Sequence, residues 1–589
     1  MGSIPHADGT TFRVWAPHAT AVSVIGDFND WKPEANALNP EENGHWAADI
    51  PNAKAGQEYR FHLDTPSGEL SRIDPHARHV TNSVGNGIVY DRSFDWDNDF
   101  HPTPSWNEWV IYELHIGTFN DPKPDVDTPG TFADAIKKFD HLKRLGINCI
   151  QVMPIAEFAG DRSWGYNPAH PFAVETAYGG PTEFKNFVKE AHRQGFAVIL
   201  DVVYNHFGPS DLHLWRFDGW SENDGGGIYF YQDWRNDTPW GGTRPDFGRA
   251  EVRQYIRDNS FMWVEEYHVD GLRMDMTLYI RSVRPDGEIN LPDGWSLMQR
   301  INREIRQKHP NTLTIAEDLQ RLDMITKSVP EGGAGYGSQW DDQFVHPIRE
   351  AVIAADDEHR SMDKVAHAIT HRYNSNAFER VIYSESHDEV ANGRARLPQE
   401  IDPDGAKSYF AQKRSTLAAA LVFTSPGIPM LFMGQEFLEG GWFRDTVPVD
   451  WDKQAEFRGI IRMFRDLIRL RLNRDGNSRG LCGQNVQVTH VYDDLNMIAF
   501  RRWDKGGPND DVLVVANFHR EPRQGYTLGF PSAGTWKLLF NSDWKGYSQQ
   551  FNDYPSRDVT AEPGDYDGLP AKGAVDIGPY SVLVFGKGD

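Results

Sequence analysis

Between about residue 105 and residue 475 the chain alternates short apolar runs with longer amphipathic stretches, and this alternation constrains the fold most strongly. The apolar runs are VIYELHIG, CIQVMPI, AVILDVV, GLRMD, TLTIAED, VIYSES and MLFMGQ. Continuous apolar runs of this length are typical of strands buried on both faces of a parallel sheet. The stretches between them, such as PTEFKNFVKEAHRQG, have helical periodicity, and two of them end in Gly. With an eighth strand expected near residues 339–344, the pattern predicts a (β/α)8 TIM barrel over residues 105–475.

Both flanks of this region have a different pattern. Residues 1–100 contain short β-like runs, such as TTFRVWAP, AVSVIGDF and EYRFHLD, which are separated by turn residues. Residues 476–589 return to such runs, with DVLVVANF and YSVLVFG among them. We therefore expect an α/β chain of three domains: an N-terminal β-sandwich (1–100), the barrel (105–475) and a C-terminal antiparallel β-sandwich (476–589).

Charge and composition exclude several classes of partner. The formal net charge of −25 argues against nucleic acid, because phosphate binding needs a basic surface. Two cysteines are too few for a disulfide framework or a cysteine zinc site. No apolar stretch approaches the roughly 18 residues of a membrane span, and the first residues do not resemble a signal peptide. We expect a cytoplasmic protein without a membrane partner, and its oligomeric state is left open.

Four of the predicted strands end in polar residues. The C-terminal ends of the strands are where barrels of this kind carry their chemistry. The residues are Asp201, Asn205 and His206; Arg273 and Asp275; Glu317 and Asp318; and His387, Asp388 and Glu389. One such strand end could be a structural ion pair, but four that converge on one rim predict an active site.

Carboxyl groups in this arrangement suit the cleavage of a glycosidic bond. That reaction needs one ionised carboxylate near the anomeric carbon and one protonated carboxyl near the leaving oxygen. Arg273, two positions before Asp275, should lower the pKa of Asp275 and keep it ionised. Glu317 ends an apolar strand, which should raise its pKa and suit a proton donor. Asp388 could hold substrate hydroxyls.

The motifs DVVYNH, GLRMD, IAED and SHDE resemble, in the same order, the four conserved regions of glycoside hydrolase family 13, the α-amylase family. The N-terminal stretch FRVWAPHATAVSVIGDFNDW resembles the glucan-binding β-sandwich of branching enzymes, isoamylases and trehalohydrolases in that family. The resemblance implies Asp275 as nucleophile, Glu317 as general acid and base, and Asp388 as transition-state stabiliser. It also implies retention of the α configuration by double displacement.

The resemblance further implies a set of substrate-binding residues and an α-glucan as the partner. The set is Arg273, His206, His387, Tyr166 (in SWGYNP), Asp201 and Asn205. Within the set, Arg273 would orient the nucleophile and Tyr166 would stack beneath the sugar at the cleavage site.

Three activities of the family compete, because the motifs form a mosaic. The first expectation is an α-1,4-glucan hydrolase of α-amylase type, with or without an additional ability to transfer glucosyl groups. The alternative is a 1,4-α-glucan branching enzyme, whose pattern SHDE matches, although such enzymes usually have Glu where this chain has Asp318. The third is a maltooligosyltrehalose trehalohydrolase, which VIYELHIGTF and DVVYNHFGP resemble, although Gln usually follows the catalytic Asp there.

The segment of residues 215–242 is rich in Trp, Tyr and Gly and follows the third predicted strand. Its length and composition predict a loop that lines the substrate site. The same segment offers oxygen ligands for the calcium ion of classical α-amylases, namely Asp218, Asn223 and Asp224, but without a known ligand spacing. We expect no required cofactor.

Overall fold

The computed structural model describes residues 1–99, 103–123, 128–286, 288–507 and 510–587. Its N-terminal part is a pair of antiparallel sheets, one with the strand order β1-β2-β5-β4 and one with β3-β6-β7, in which β8 also pairs with β6. The strands are β1 (Gly2–His6), β2 (Gly9–Trp15), β3 (Ala21–Gly26), β4 (Asn39–Pro40), β5 (His45–Ile50), β6 (Glu58–Thr65), β7 (Gly68–Arg72) and β8 (Gly87–Ile88). Rings of Phe12, Tyr59 and Phe61 pack against one another in the core of this part. The expected N-terminal β-sandwich is confirmed.

Eight parallel strands close into a barrel in the middle of the chain, in the order β10-β13-β14-β15-β16-β17-β18-β9. The strands of this part are β9 (Ile111–Leu114), β10 (Cys149–Val152), β11 (Ala156–Phe158), β12 (Pro168–Val174), β13 (Ala197–Val202), β14 (Gly271–Met274), β15 (Leu313–Ala316), β16 (Ser338–Trp340), β17 (Arg380–Ile382) and β18 (Ile428–Phe432). Strands β11 and β12 form a separate hairpin. The eighth strand expected near residues 339–344 is β16, so the TIM-barrel prediction is confirmed.

Helices surround the barrel because their apolar faces are buried against the strands. In α4, Phe184, Phe187 and Val188 lie on the buried face, and Gly195 ends the helix in the left-handed conformation at φ 91°. The helices are α1 (Ile116–Phe119), α2 (Phe132–Ile136), α3 (Phe139–Leu145), α4 (Gly180–Gln194), α5 (Ala250–Glu265), α6 (Leu278–Arg281), α7 (Pro292–Lys308), α8 (Asp342–Ile353), α9 (Met362–Thr370), α10 (Leu397–Ile401), α11 (Tyr409–Thr424), α12 (Lys453–Glu456) and α13 (Arg458–Arg471).

The C-terminal part is an antiparallel sheet of eight strands in the order β19-β20-β21-β26-β23-β24-β25-β22. The strands are β19 (Asn485–Tyr492), β20 (Met497–Trp503), β21 (Val512–Asn517), β22 (Arg523–Phe530), β23 (Gly534–Asn541), β24 (Val559–Tyr566), β25 (Leu569–Ile577) and β26 (Ser581–Lys587). A buried ion pair, Lys413 Nζ to Asp543 Oδ1 at 2.6 Å, connects this part to α11 of the barrel. The expected C-terminal β domain is confirmed. Among the residues that the structure describes, no helix is long and apolar enough to cross a membrane.

Candidate active site

The guanidinium group of Arg273 occupies the centre of the rim formed by the strand ends. It lies on β14 and is fully buried. Its Nη1 contacts Asp201 Oδ2 at 2.7 Å and Asp275 Oδ1 at 3.0 Å, and its Nη2 contacts Glu317 Oε2 at 2.8 Å. Three carboxylates from the ends of β13, β14 and β15 therefore meet around one cation. Opposite charges at this distance offset only part of the cost of burying the three carboxylates.

An aromatic ring fixes the other side of the guanidinium. The ring centroid of Trp340, the last residue of β16, lies 4.3 Å from the guanidinium carbon of Arg273. A cation over the face of an indole ring is stabilised by the ring's electron density. The short eighth strand thus contributes a residue that holds the central cation in place.

Asp275 presents one carboxylate whose two oxygens are both held. Oδ1 faces Arg273, and Oδ2 accepts a hydrogen bond from Asn205 Nδ2 at 2.7 Å. The same Asn205 nitrogen donates to the backbone oxygen of Asp275 at 3.0 Å. These contacts fix the orientation of the carboxylate, and Asp275 keeps an exposed fraction of 6%.

The pKa of Asp275 corrects an expectation. Burial raises the pKa above its ordinary value; Arg273 lowers it only in part, and the charge of Asp201 raises it further. Arg273 thus lowers the pKa of Asp275, as predicted, but it does not bring that pKa below the ordinary value. The sequence reveals the neighbouring cation but neither the depth of burial nor the second carboxylate on the same cation.

Glu317 has the properties of a proton donor. Burial raises its pKa to about 7; Arg273 opposes this shift, while the charges of Asp275 and Asp388 add to it. The backbone N–H of Met276 donates to Glu317 Oε2 at 3.1 Å. The predicted upward shift of the Glu317 pKa is thus present in the structure, and near neutral pH the group exists in both protonation states.

Asp388 is the least enclosed of the three predicted catalytic carboxylates. It follows β17 and is half-buried, and its Oδ1 accepts a hydrogen bond from Asn392 Nδ2 at 2.7 Å. Its charge contributes to the raised pKa of Glu317, which indicates that the two carboxyl groups lie near each other. The structure therefore brings all three predicted carboxylates to one rim.

His387 and Tyr166 form one wall of this site. Their rings stack with centroids 5.1 Å apart, and the Tyr166 hydroxyl donates to Asp201 Oδ2 at 2.7 Å. The Nδ1 of His387 lies 2.8 Å from Glu113 Oε1. Burial alone would lower the pKa of His387, but Glu113 and Asp388 outweigh it and raise that pKa to about 9.

His206 and Trp240 form a second pair of stacked rings, linked to Asp275 through Asn205. The Nδ1 of His206 bonds to Asn205 Oδ1, and its ring stacks on Trp240 with centroids 4.6 Å apart. Burial lowers the pKa of His206 to about 4, so its imidazole is neutral at neutral pH. Trp240, 37% exposed, belongs to the aromatic segment 215–242 and also meets Tyr279 edge-on at 5.3 Å. The segment thus reaches the site.

Two further acidic residues of the motifs form ion pairs. Asp318 Oδ1 pairs with Arg281 Nη2 at 2.6 Å, where both side chains are fully buried. Glu389 pairs with Arg394 Nη1 at 2.6 Å and contacts His346 Nε2 at 2.9 Å. These groups support the loops that carry Glu317 and Asp388.

Two residues of the site were missed by sequence reasoning. Glu113, fully buried on β9, supports His387, and Trp340 supports Arg273. A lone carboxylate within the apolar run VIYELHIG was the available signal for Glu113. Trp340 had no comparable signal, because its strand is only three residues long.

Each of the three candidate calcium ligands has a partner of its own within the protein. Asp218 Oδ2 accepts hydrogen bonds from the backbone N–H and the ring Nδ1 of His18, at 3.0 and 2.8 Å. The amide nitrogen of Asn223 donates to a backbone oxygen, and the exposed Asp224 lies 3.6 Å from Arg216. A carboxylate that faces N–H donors and another that faces a guanidinium do not fit a cation site.

One group of residues in the described part of the chain has the spacing of metal ligands. It consists of His62, Asp64 and Glu69 on β6 and β7, and both carboxylates of this group are exposed. The group lies in the N-terminal β-sandwich and contributes nothing to the barrel rim.

Comparison with protein families matches all three parts of the chain. Residues 1–77 match carbohydrate-binding module 48 (isoamylase N-terminal domain). Residues 89–246 and 215–458 match the alpha amylase catalytic domain, and residues 490–588 match the alpha amylase C-terminal all-beta domain. The catalytic match covers the barrel with every residue of the predicted site.

Relatives named 1,4-alpha-glucan branching enzyme GlgB match along most of the chain. The protein of Picrophilus torridus is 31% identical and covers 93% of this chain and 76% of its own length. That of Oceanobacillus iheyensis is 29% identical and covers 98% and 93%. Among solved structures, a putative alpha amylase from Salmonella typhimurium has a TM-score of 0.74 at 22% identity, covering 100% and 99%. An apo pullulanase from Paenibacillus barengoltzii has 0.77 at 21%, covering 100% and 94%.

Proposed function

Because the chain belongs to the α-amylase family of enzymes, glycoside hydrolase family 13, we propose that it is a 1,4-α-glucan branching enzyme. It cuts an α-1,4 bond of a linear glucan and joins the released chain to a 6-hydroxyl of a glucan. The single observation that carries this choice is the likeness to proteins named branching enzyme, at 29–31% identity over 91–98% of this chain. Sequence motifs alone ranked hydrolysis first and branching second, and the relatives favour the second.

In the first step the glucan chain is transferred to the enzyme. A carboxylate oxygen of Asp275 attacks the anomeric carbon while Glu317 gives its proton to the leaving glycosidic oxygen. The bond between that carbon and oxygen breaks, and a glucosyl ester forms on Asp275. Glu317, with a pKa of about 7, is protonated often enough at neutral pH to act as this acid.

In the second step the ester is opened by an acceptor. Glu317, now ionised, removes the proton from a 6-hydroxyl of a second glucan, whose oxygen attacks the anomeric carbon. Asp275 leaves as a carboxylate, and an α-1,6 bond forms with the original configuration. Both carboxylates contact one guanidinium group, which supports the close spacing that retaining enzymes need.

The remaining residues of the rim bind and orient the sugar. Asp388, less buried than the other two carboxylates, is free to accept hydrogen bonds from sugar hydroxyls. Tyr166 offers a ring for stacking beneath the sugar, and His387, which stacks on Tyr166, offers a ring nitrogen to a sugar hydroxyl. His206, which stacks on Trp240, is the second histidine that we assign to the sugar. Asp201 and Asn205 do not need to touch the substrate, because each holds a residue that does.

Branching requires that the 6-hydroxyl of the acceptor reacts with the glucosyl ester faster than water does. Trp240 covers His206 with a flat, partly exposed ring at the entrance to the site. Sugars stack on such rings, so a bound acceptor chain can occupy the space that water would otherwise use. We therefore propose that the aromatic segment 215–242 forms part of the surface that binds the acceptor glucan.

Incubation with linear amylose tests the proposal. We expect new α-1,6 anomeric signals in the proton NMR spectrum, with less than one new reducing end for every new branch point. Asp275→Asn protein serves as the control. Short maltooligosaccharides without α-1,6 signals would mean hydrolysis and would overturn branching. Release of trehalose from a maltooligosyltrehalose would point to the third activity.

A further inference from the structure

A buried carboxylate behind the rim has no role in the double displacement. Glu113 lies on β9 and is fully buried, and among the described residues its side chain hydrogen-bonds only to His387 and Gln151. Its Oε1 lies 2.8 Å from His387 Nδ1, and its Oε2 accepts the backbone N–H of His387 at 3.0 Å. One side chain therefore holds both the backbone and the ring of a residue in the site.

This contact restricts what the other ring nitrogen can do. A carboxylate accepts only, so the proton of His387 must sit on Nδ1. Nε2 of His387 has no hydrogen-bond partner within the described part of the chain, and the ring stacks on Tyr166 in the site. In a neutral imidazole that Nε2 would be an acceptor; it can donate only when the ring carries a second proton.

We propose that Glu113 is a positioning residue that keeps His387 as an imidazolium, so that its Nε2–H donates a hydrogen bond to a hydroxyl of the bound sugar. The identity of this ligand rests on the proposed function. His206 is the opposite case: its Nδ1 contacts a neutral amide, and it carries no charge at neutral pH. The Nε2 of His206 also lies 3.3 Å from an amide oxygen, Asn167 Oδ1, whereas the Nε2 of His387 has no such neighbour within the described part of the chain.

The charges around His387 support this assignment. The groups that face it are Glu113, Asp388, Arg273, Asp201, His115 and Tyr166. Burial and Arg273 both disfavour the imidazolium, whereas Glu113 and Asp388 favour it, and the balance raises the pKa of His387 to about 9. Replacing Glu113 by a neutral residue removes the largest favourable contribution, so the pKa of His387 should fall.

Isotope labelling tests the charge of His387 without relying on activity. The protein is labelled with ¹³Cε1-histidine, and the signal of His387 is identified as the one missing from the His387→Gln spectrum among 22 histidines. In the wild-type protein we expect this signal to stay in the protonated position from pH 6 to pH 8. In Glu113→Gln its titration midpoint should fall by at least about one pH unit, a tenfold change in the proton affinity.

Glu436→Gln is the matched control. Like Glu113, Glu436 is fully buried and pairs with a histidine, here His141 at 2.7 Å. It differs in its location, because it contacts Tyr112, which precedes Glu113 on β9 and points to the opposite face of that strand. This variant should leave the His387 signal unchanged. A neutral His387 in the wild-type protein at pH 7, or an equal midpoint in Glu113→Gln, overturns the proposal, and the first result can be read even if the variant does not fold.

A kinetic experiment separates positioning from general support of the fold. The kcat of Glu113→Gln on amylose should be reduced at least about twofold at pH 8, where a midpoint one unit lower leaves half of His387 without its second proton, and the loss should shrink towards pH 6 as His387 gains its proton from solution. A loss that is equal at every pH contradicts the role. Whether the products are branched or hydrolysed does not affect either readout, so failure of the proposed function can be distinguished from failure of this inference.

Discussion

The substitution Glu317→Gln removes the proton donor. It should reduce the rate most for substrates whose leaving group must be protonated before it departs. The raised pKa of Glu317, about 7, leaves roughly half of the molecules protonated at pH 7, against roughly 0.3% for a carboxyl at the ordinary value of 4.5. The difference corresponds to about 3 kcal/mol of preference for the protonated form. A positioned general acid typically contributes about 10²–10⁴-fold to the rate, so we expect a loss of this size with amylose.

The assay compares two substrates across a pH range. Amylose has a poor leaving group, whereas α-maltosyl fluoride releases fluoride without a proton from the enzyme. With the fluoride, Glu317→Gln should form the glucosyl-enzyme at a rate within about tenfold of the wild type. For the wild type on amylose, activity should fall as the pH rises through about 7, because the required proton is lost there.

Glu157→Gln provides the control for this experiment. Glu157 is buried on β11 and also has a pKa that burial raises to about 7, but it accepts a hydrogen bond from the backbone of Thr176 and lies outside the rim. Its replacement should leave both rates unchanged. Equal losses of Glu317→Gln on amylose and on the fluoride would refute the acid role.

Asp275→Asn should lower the turnover of amylose by at least about 10³-fold with an unchanged circular dichroism spectrum, and activity within tenfold of the wild type would rule out the nucleophile. Trp240→Ala should raise the KM for amylose by about 2–10-fold through the loss of a stacking surface over His206; an unchanged KM would exclude contact with the glucan. Burial raises the pKa of Glu157 to about 7 and that of Glu175 to about 9. The folded protein therefore holds protons that the unfolded chain releases, and the free energy of unfolding decreases as the pH rises above about 4.5. Glu157→Gln should reduce this fall, with little effect on the melting temperature at pH 5 and an increase at pH 8.5; parallel melting curves at both pH values would contradict the coupling.

Much of the architecture could be predicted because each barrel strand, buried on both faces, leaves a continuous apolar run in the sequence. The one strand without such a run, β16, was located only approximately, since its three residues have too little apolar character to stand out. The predicted limits of the three domains stay predictions, because they rest on changes in the sequence pattern alone.

The site could be predicted where a residue follows a strand directly. Asp275 directly follows β14 and Glu317 directly follows β15, and parallel strands bring those ends together. Asp388 comes six residues after the end of β17, in the segment that follows that strand. The sequence does not reveal how deeply Asp275 is buried, nor that Asp201 is a second charged neighbour of its carboxylate. The pKa of Asp275 shows the consequence, because desolvation and Asp201 together outweigh the adjacent Arg273.

The contacts that hold the site residues in place were the least predictable part of the site. Glu113 and His387 are 274 positions apart in the chain, and nothing local to either residue connects them. The stacking of Trp240 on His206 likewise depends on the path of a long loop, which only the folded chain determines. Residues of this kind are found from contacts rather than from motifs.

Mass spectrometry of a trapped glycosyl-enzyme tests the central claim most directly. A 5-fluoro-α-glucosyl fluoride combines a good leaving group with slow breakdown of the ester, so the first step of the double displacement accumulates. After digestion, the account predicts one added fluoroglucosyl group, located on Asp275. A label on Glu317 or Asp388, or release of fluoride with no labelled peptide, would contradict it.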